Sequence, residues 1–398
     1  MDSKLINQEG LGLYIHIPFC HTKCTYCDFN TYSGLENLIN NFDNSISNEI
    51  EFWSLNGDYI VESIFIGGGT PSYVETKVIG NILEKVRNNF HLSNDIEITL
   101  EINPEDVSYA KSINWKSMGI NRCSVGIQSL DNDELKILNR RHDSLQALLA
   151  IRSLSEVFEN ISVDLIYGLP LQTKDSYINT LNQIISEKIN HISCYSLQVE
   201  KGTILDHQVK NNKINVANDD LSAEMYKSTQ MILKENNFNH YEISNWSKEN
   251  KTSRHNLKYW RMEPYIGIGP GAHSFIDKKR FSILKSPKKY VEFFKNYKNS
   301  KRSIKEKIIY LEQNKILDIY EDNIKENEIL EFLMLSLRLK EGINISKFYS
   351  RFKLDFEDLY LSKLEYFINE NILIKEKDNY ILSDKGKLFA NEVASNFV

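Results

Sequence analysis

Three cysteines near the start of the chain have the spacing of a cluster site. Cys20, Cys24 and Cys27 form the pattern C-x3-C-x2-C, and only 5 of the 398 residues are cysteines. Thiolates are the usual ligands of iron–sulfur clusters. Three of them can hold a four-iron cubane and leave one iron open, and an open position distinguishes a reactive metal site from a closed structural one. The spacing therefore predicts a 4Fe–4S cluster with an open iron.

Two other interpretations of these cysteines stay open on the sequence alone. A closed zinc site needs four ligands, and His16 or His21 could supply the fourth. The three side chains could also be unrelated buried thiols, which is what we expect of Cys123 and Cys194.

Short β-rich runs recur through the first half of the chain, and helical patterns lie between them. The predicted strands are Leu13–Ile17, Ser63–Ile66, Glu97–Leu100, Arg122–Val125, Ser162–Ile166 and His191–Leu197. One predicted helix has an apolar face made of Val78, Ile79, Ile82, Leu83, Val86 and Phe90. Another has the face Leu145, Leu148, Leu149 and Arg152, with Ser144 as its N-cap. Alternating strands and helices indicate a parallel sheet, so we expect an α/β fold, a partial (β/α)6 TIM-like barrel.

Polar or glycine-rich residues follow each predicted strand. They are the cysteine loop, Gly67–Pro71, Glu101–Pro104, Gly126–Ser129, Asp164 with Tyr167–Pro170, and Tyr195–Gln198. Active sites of parallel barrels are built from the loops after the strands, so we predict one cavity here, with Gln128 and Arg140 as further polar candidates. Glycines let a backbone approach a ligand closely, although Gly67–Thr70 could also be a plain tight turn and Glu101 a solvated carboxylate. Asp164 interrupts an apolar run, where an unpaired carboxylate is costly.

Bulk composition limits the class of protein. Apolar residues make up 41% and charged residues 26% of the chain, which is a normal globular mix. The net charge of −6 argues against a nucleic-acid-binding protein. No run approaches the roughly 20 apolar residues that span a bilayer, and Met1–Gly10 has no signal-peptide pattern. We therefore expect a cytoplasmic protein without a transmembrane segment, in which thiols stay reduced.

The last part of the chain has a different pattern. Residues 328–340 and Leu361–Asn369 predict helices, Ile372–Lys375 and Tyr380–Leu382 predict strands, and Ser383 is a candidate cap for a final helix to about Asn396. This outline is that of an α+β winged-helix-like domain. Acidic residues outnumber basic ones in 321–398, which would repel phosphate. We expect a structural or partner-docking domain rather than a DNA-binding one.

The string His255-Asn256-Leu257-Lys258-Tyr259-Trp260 is a second candidate site. On a helix, His255 and Tyr259 would share one face. A histidine beside large aromatic rings can serve as an axial haem ligand, but it can equally be a core histidine with satisfied hydrogen bonds. His273, in Gly269–Ser274, is a weaker candidate for the same role.

Together these motifs resemble the radical S-adenosylmethionine superfamily, and within it the coproporphyrinogen III oxidase-like branch of HemN and HemW. The resemblance is carried by Tyr14–Cys20, Gly67–Pro71, Glu101–Pro104, Asp164–Pro170, Tyr241–Asn245, His255–Trp260 and Gly267–Phe275. It implies that Cys20, Cys24 and Cys27 bind the cluster and that S-adenosylmethionine occupies the open iron. It also implies a cofactor site lined by Tyr14, Tyr26, Gly68, Gly69, Thr70, Glu101, Gln128, Arg140 and Asp164.

Two departures separate the chain from HemN-type oxidases. As the resemblance implies, HemN-type chains carry a further cysteine two residues after the third cluster ligand, where this chain has Phe29. They also have a longer arm before the cluster, whereas 19 residues precede Cys20 here. The string H-N-x-x-Y-W instead resembles the haem-binding signature of the HemW haem chaperones. That likeness favours haem at His255.

The resemblance implies a haem chaperone that binds haem and delivers it to apo-haemoproteins. The alternative is an enzyme of porphyrin biosynthesis, an oxygen-independent coproporphyrinogen III dehydrogenase that uses the cluster and S-adenosylmethionine in radical chemistry. A radical enzyme acting on an unrelated substrate is a third interpretation. The sequence is compatible with an electron donor as a partner and with assembly into a homodimer. We predict three regions: the barrel in 1–205, a haem-motif and connecting region in 206–315, and the winged-helix-like domain in 316–398.

Overall fold

A computed structural model describes residues 9–54, 59–297, 302–322 and 325–397. The segment Met1–Gln8, on which the expectation about a signal peptide largely rests, lies outside them. Fifteen strands are described: β1 (Glu9–Ile17), β2 (Tyr59–Gly68), β3 (Leu92–Ile102), β4 (Arg122–Gln128), β5 (Ile161–Tyr167), β6 (His191–Ser196), β7 (Asn239–Glu242), β8 (Asn245–Ser247), β9 (Tyr265–Ile268), β10 (His273–Ile276), β11 (Lys279–Ile283), β12 (Leu317–Asp322), β13 (Ile343–Asn344), β14 (Leu373–Glu376) and β15 (Asn379–Leu382).

The described helices alternate with the first six strands and then dominate the second half. They are α1 (Ile39–Phe52), α2 (Thr76–Asn89), α3 (Tyr109–Ser117), α4 (Asn132–Ile137), α5 (Ser144–Ser155), α6 (Lys174–Ser186), α7 (Ile204–Lys210), α8 (Asp219–Glu235), α9 (Arg254–Trp260), α10 (Pro287–Phe294), α11 (Ile304–Gln313), α12 (Lys325–Arg338), α13 (Ile345–Phe352), α14 (Phe356–Asn369), α15 (Asp384–Lys387) and α16 (Ala390–Ser395). Short 3-10 helices cover Glu36–Leu38 and Pro104–Asp106.

The six predicted strands form the parallel part of one large sheet. Strands β1 to β6 lie in chain order, and each pairs in parallel with the next. At least one helix follows each strand, so the partial (β/α)6 barrel is confirmed. Parallel strands are buried on both faces and therefore read as nearly continuous apolar runs. Strand β5 illustrates this, because Asp164 is its only residue that is not fully buried.

Helix α2 has the predicted face, whereas the prediction for helix α5 was wrong. In α2, Val78, Ile79, Ile82, Leu83 and Val86 are all buried. In α5 the buried residues are Ala147, Ala150, Ile151 and Leu154, while Leu145 and Leu149 are exposed. Small alanines allow a helix to pack closely, so the positions of the leucines alone do not identify the inner face here. The N-cap is Asp143 rather than Ser144, because its carboxylate accepts the amide of Gln146 over 2.8 Å.

Short strands extend the sheet at both edges. Strand β9 pairs in parallel with β1, and β10, β11 and β12 continue from it in antiparallel order. At the other edge, β8 and β7 follow β6. The division of the chain after 205 and 315 stays a prediction. Strand β12, from the third predicted region, pairs with β11 of the second.

The C-terminal residues form the expected winged-helix-like unit. Helices α12 to α14 pack with a three-stranded sheet in the order β13, β15, β14. Ser383 caps α15 by accepting the amide of Gly386 over 2.9 Å. Two short helices, α15 and α16, stand in place of the single predicted helix. Core residues of this unit also contact Met262, Tyr265 and Phe275. Among the described residues, no helix is long and apolar enough to cross a bilayer.

Candidate functional site

The loops after the parallel strands enclose a cavity of about 450 Å³, which we call the thiol cavity. It lies at the carboxyl ends of β1 to β6, where parallel barrels place their active sites. All three clustered cysteines and most of the predicted cofactor residues line it. They are Cys20, Cys24, Cys27, Tyr26, Gly68, Gly69, Thr70, Glu101, Gln128, Arg140 and Asp164.

Hydrogen-bond donors surround the three sulfur atoms. The Thr70 hydroxyl donates to Cys20 Sγ over 3.4 Å, and Arg140 Nη1 donates to Cys24 Sγ over 3.4 Å. Cys27 Sγ lies 3.8 Å from the Thr31 hydroxyl. Burial raises the pKa values of the Cys20 and Cys27 thiols, so an ion-free pocket favours the neutral thiols.

The thiols fit a cluster better than a single ion. Within the described ranges, no group of three or more His, Cys, Asp or Glu side chains converges closely enough to hold one metal ion. Each thiolate on a cubane binds a different iron atom, so the sulfurs need not converge on one point. The donors to Cys20 and Cys24 suit the partial negative charge that cluster ligands retain. The zinc site with His16 is not supported, because both ring nitrogens of His16 bond to other groups, Tyr14 Oη at 3.0 Å and Asn30 O at 2.9 Å.

The glycine turn after β2 lies directly against the cysteine loop. A Cβ atom on Gly69 would come within 2.7 Å of Phe19 O and 3.1 Å of Cys20 Sγ, so only glycine fits there. The amides of Gly69 and Thr70 already donate to Ile17 O and Phe19 O, over 2.7 and 2.9 Å. The turn can therefore offer a ligand close contact and carbonyl oxygens, but not these two amides.

Two carboxyl groups lie at the floor of the thiol cavity, and a buried arginine, Arg122, shares a smaller neighbouring cavity with them. Glu101 Oε2 accepts the amide of Gly68 over 3.0 Å, and Asp164 Oδ2 accepts the Ser124 hydroxyl over 3.1 Å. Burial, and then the charge of Asp164, raise the pKa of Glu101 to about 7. Burial also raises the pKa of Asp164. Arg122 is buried, and its Nε has no hydrogen-bond partner among the described residues.

Arg140 and Gln128 are positioned at the end of β4, Arg140 by hydrogen bonds and Gln128 by its backbone conformation. Arg140 Nη2 donates to Gly126 O over 2.7 Å and to Asn103 Oδ1 over 3.0 Å. Gln128 has φ of 69°, a left-handed conformation that costs a non-glycine residue on the order of 1 to 3 kcal/mol. The strained conformation coincides with a register shift between β4 and β5 at Gly126/Gln128. Both side chains are thereby placed in the cavity wall.

A second cavity of about 510 Å³ adjoins the first, and we call it the aromatic cavity. Phe29, Gly68 and Glu101 line both cavities, and the Phe29 side chain is 65% exposed. Tyr14, which was expected at the cofactor site, lines this second cavity and not the thiol cavity. The other lining residues are His16, Asn30, Tyr259, Trp260, Met262, Tyr265, Gly271, His273, Phe275, Arg280, Lys285, Glu331 and Leu335.

His255 lies in neither cavity. Its side chain is 0% exposed, with Nδ1 2.9 Å from Ser63 Oγ and Nε2 2.8 Å from Tyr259 Oη. Burial lowers the pKa of His255 to about 3, so the ring is neutral. Asn256 and Tyr259 from the same helix line a smaller polar cavity of about 200 Å³, which also contains Glu101, Asp164 and Arg122. The string H-N-x-x-Y-W thus directs polar groups towards the barrel interior.

Several site residues gave no recognisable signal in the sequence. Arg122 begins a predicted strand, where a buried cation is unexpected, and Asn103 was noted only as part of a segment. Asn30 lies just past the cysteines, and its side chain donates to Pro270 O over 2.8 Å and to Lys285 O over 3.0 Å. An isolated Asn or Arg has many possible roles, and only the long-range contacts assign one. Cys123 and Cys194 are buried thiols, as predicted.

Two family models match the chain. Residues 14–184 match the model described as the radical SAM superfamily, and residues 325–389 match the HemN C-terminal domain. The first range runs from the second half of β1 to most of α6, and the second covers most of the winged-helix-like unit.

Similar proteins cover almost the whole chain. A protein named heme chaperone HemW from Buchnera aphidicola subsp. Acyrthosiphon pisum is 33% identical over 98% of both chains. One of the same name from Bacillus subtilis is 31% identical over 97% of this chain and 98% of its own length. The mitochondrial radical S-adenosyl methionine domain-containing protein 1 of Danio rerio is 38% identical over 66% of this chain and 60% of its own length.

A solved structure has the same fold. The coproporphyrinogen III oxidase HemN from Escherichia coli superposes with a TM-score of 0.81, covering 98% of this chain and 90% of its own. Its sequence identity is 20%, so the likeness concerns the fold alone.

Proposed function

Because the chain belongs to the radical S-adenosylmethionine superfamily, in the branch of HemN and HemW, we propose that it is a haem chaperone. It binds haem and delivers it to apo-haemoproteins. The observation that carries this proposal is the pair of adjoining cavities, one with thiols and carboxyl groups and one with aromatic rings and a histidine. The first suits the cluster and cofactor that the superfamily implies, and the second suits a flat apolar macrocycle.

In this proposal Cys20, Cys24 and Cys27 hold the 4Fe–4S cluster. A bound cluster supplies electron transfer and an open iron position. Thr70 and Arg140 donate to the sulfurs of Cys20 and Cys24, which lowers the cost of placing thiolate charge in the cavity. Arg140 also fixes the cysteine loop to the end of β4 through Gly126 O.

The floor of the thiol cavity suits S-adenosylmethionine because of its charge. That cofactor carries a positive sulfonium and a positive ammonium group, and Glu101 and Asp164 face the cavity with raised pKa values. A cation beside two carboxyl groups favours their ionised forms and relieves their mutual repulsion. Gln128, Tyr26 and the glycine turn complete the proposed site.

The alternative is an oxygen-independent coproporphyrinogen III oxidase. The HemN-like fold is compatible with it, and so is a cavity beside the cluster. Phe29 weighs against it, since this exposed ring occupies the position where we expected the oxidases to carry a cysteine, and it lies between the two cavities. We therefore keep the oxidase as the second candidate.

Two assays on one anaerobically reconstituted preparation separate these functions. We expect saturable haem binding in a Soret titration, and no multiple turnover of coproporphyrinogen III with a strong reductant and S-adenosylmethionine. Repeated conversion to protoporphyrinogen, detected by chromatography of the porphyrins, would establish the oxidase instead. Failure to bind haem under conditions that preserve the cluster would rule out the chaperone.

A further inference from the structure

The aromatic cavity contains a histidine whose ring is free to bind a metal. We infer that haem occupies this cavity and that His273 is the axial ligand of its iron. The inference rests on the proposed haem-binding function and assigns the iron to a histidine other than His255. It therefore departs from the position at His255 that the H-N-x-x-Y-W string favours.

His255 is closed to a macrocycle on every side that the structure describes. Ser63 and Tyr259 engage its two ring nitrogens. A Cβ atom on Gly12 would come within 3.1 Å of His255 Cε1, so the ring packs directly against β1. The first turn of α9 is anchored as well, because Glu97 accepts the amides of Arg254 and His255, each over 3.1 Å. Iron could bind His255 only if Ser63 or Tyr259 gave up its hydrogen bond to the ring.

His273 has the opposite environment. It is exposed, it lines the aromatic cavity, and its ring forms no hydrogen bond within the part of the chain that the structure describes. His16, the other histidine of this cavity, has both nitrogens engaged. Partial desolvation of the ring, and then the charges of Arg280 and Lys285, lower the pKa of His273 against the opposing effect of Asp318 and Glu321. The neutral imidazole, which binds metals, is therefore favoured.

The wall beside His273 is aromatic, with rings that meet edge to face or at a tilt. His273 and Phe275 are two residues apart in β10, so their side chains lie on the same face of the strand. The Phe275 ring centroid lies 6.5 Å from that of Tyr265, which in turn lies 4.6 Å from that of Tyr259. Such a surface suits the face of a porphyrin, whose burial removes a large apolar area from water.

Two cations stand at the same cavity. The Arg280 guanidinium lies 5.2 Å from the Phe275 ring centroid, donates to Tyr265 Oη over 2.9 Å and pairs with Glu331. Lys285 is exposed, and its Nζ lies 3.8 Å from Asp318, which is a loose pair. Haem carries two propionate carboxylates, and Lys285 is the cation more available to them.

The turn that precedes His273 is joined to the cysteine loop. Asn30 donates to Pro270 O and Lys285 O, and its own carbonyl bonds His16 Nε2. Gly271 is required at this contact, because a Cβ atom there would come within 2.6 Å of Asn30 Nδ2. The segment that carries the three cysteines therefore also holds the turn before His273 in place.

The test is a haem titration of reconstituted full-length protein, with ferric-haem EPR to identify the ligand. The variants are His273→Ala, His255→Gln and, as a matched control, His207→Ala, which removes an exposed histidine from α7. Iron content of the cluster verifies that each variant folds. We expect His273→Ala to weaken haem binding by at least about tenfold, since even indirect supports of a metal ligand are worth roughly 10- to 100-fold. Added imidazole should restore the histidine-type spectrum.

Different results would contradict the assignment of His273 as axial ligand and the proposed haem-binding function. His255→Gln should retain the histidine-ligated spectrum of the wild type, because this residue acts only by positioning Tyr259. If His273→Ala kept the wild-type affinity and spectrum while His255→Gln lost the ligand signal, His255 would be the axial ligand and this inference would be wrong, although the chaperone function would stand. If the wild type bound no haem, the proposed function itself would be wrong.

Discussion

Glu101 Oε2 accepts a hydrogen bond from the amide of Gly68 over 3.0 Å, and both residues line the thiol cavity and the aromatic cavity. The carboxyl group thus stands where the cofactor and haem sites would meet. Its charge depends on pH near neutrality, because burial, and then the charge of Asp164, raise its pKa to about 7.

The first prediction concerns this charge. Below pH 7 Glu101 is mainly protonated, and above it the carboxylate attracts the sulfonium and ammonium groups of S-adenosylmethionine. We expect the affinity to rise as pH increases through about 7. Glu101→Gln should weaken binding roughly 10- to 100-fold at pH 8, because a hydrogen bond to a charged group is worth about 1.5 to 3 kcal/mol.

Anaerobic calorimetry at pH 6, 7 and 8 measures this effect. Glu75→Gln is the control, since Glu75 is an exposed carboxylate between β2 and α2, outside both cavities. Burial also raises the pKa of Asp164, so any rise with pH that the variant keeps should be smaller than that of the wild type. Equal affinity and equal pH dependence in wild type and Glu101→Gln would contradict the proposed position of the cofactor.

The second prediction concerns the cluster ligands. Reconstituted wild type should hold about four irons per chain, and the Cys20→Ala, Cys24→Ala, Cys27→Ala variant should lose nearly all of them. Cys123→Ala is the matched control, because this thiol is buried in β4 outside both cavities. Retention of iron and of visible absorption by the triple variant would show that the cluster binds elsewhere.

The third prediction concerns the hydrogen bond from Thr70 to Cys20. Thr70→Val keeps the shape of the side chain and removes the donor 3.4 Å from Cys20 Sγ. Hydrogen bonds to cluster sulfurs stabilise the reduced form, so the potential should become more negative. A bond worth about 1 kcal/mol corresponds to about 40 mV for one electron.

Redox titration monitored by EPR checks the potential. Thr25→Val is the control, since Thr25 lies in the cysteine loop, between Cys24 and Cys27, but its hydroxyl donates to Ile137 O. If both variants shifted the potential equally, the effect would come from the loop and not from the sulfur.

The fourth prediction tests the close contact at the glycine turn. Gly69→Ala places a Cβ atom within 2.7 Å of Phe19 O and 2.8 Å of Ile17 O, which are backbone atoms that cannot turn away. We expect a loss of about 1 to 3 kcal/mol in the free energy of unfolding, and reduced iron loading. Gly80→Ala in α2 is the control, because the nearest atom to its Cβ, Met118 Cε, is 3.4 Å away.

Denaturant titration measures both variants. Gly80→Ala should leave stability unchanged or raise it by about 0.5 to 1 kcal/mol, since alanine favours the helix. A Gly69→Ala protein as stable and as rich in iron as wild type would mean that the turn moves freely, against the contacts described here.

The sequence was sufficient for the barrel and for most of the thiol cavity. Apolar runs at regular intervals indicated β1 to β6, and the topology of parallel strands then brought distant loops together. Cys24 and Arg140 show how far this extends, because 116 residues separate two atoms that lie 3.4 Å apart. The cytoplasmic location and the region boundaries stay predictions.

The remaining features depend on contacts that no local pattern encodes. Strands β9 to β11 have four or five residues each, too few for a clear periodicity, yet they supply Tyr265, His273, Phe275 and Arg280 to the aromatic cavity. The inner face of α5 was missed because two alanines, together with Ile151 and Leu154, meet the barrel, while Leu145 and Leu149 are exposed. The spacing of His255 and Tyr259 correctly placed them together, but their hydrogen bond of 2.8 Å closes the ring that was expected to face haem.

The central claim, delivery of haem, is tested most directly by the kinetics of transfer. Haem-loaded protein is mixed in a stopped-flow instrument with increasing concentrations of an apo-haemoprotein, and its loss to a high-affinity haem scavenger is measured in parallel. A chaperone hands haem over within a complex, so the transfer rate should rise with acceptor concentration and exceed the rate of spontaneous loss. A rate that is independent of the acceptor and equal to the loss to the scavenger would contradict delivery.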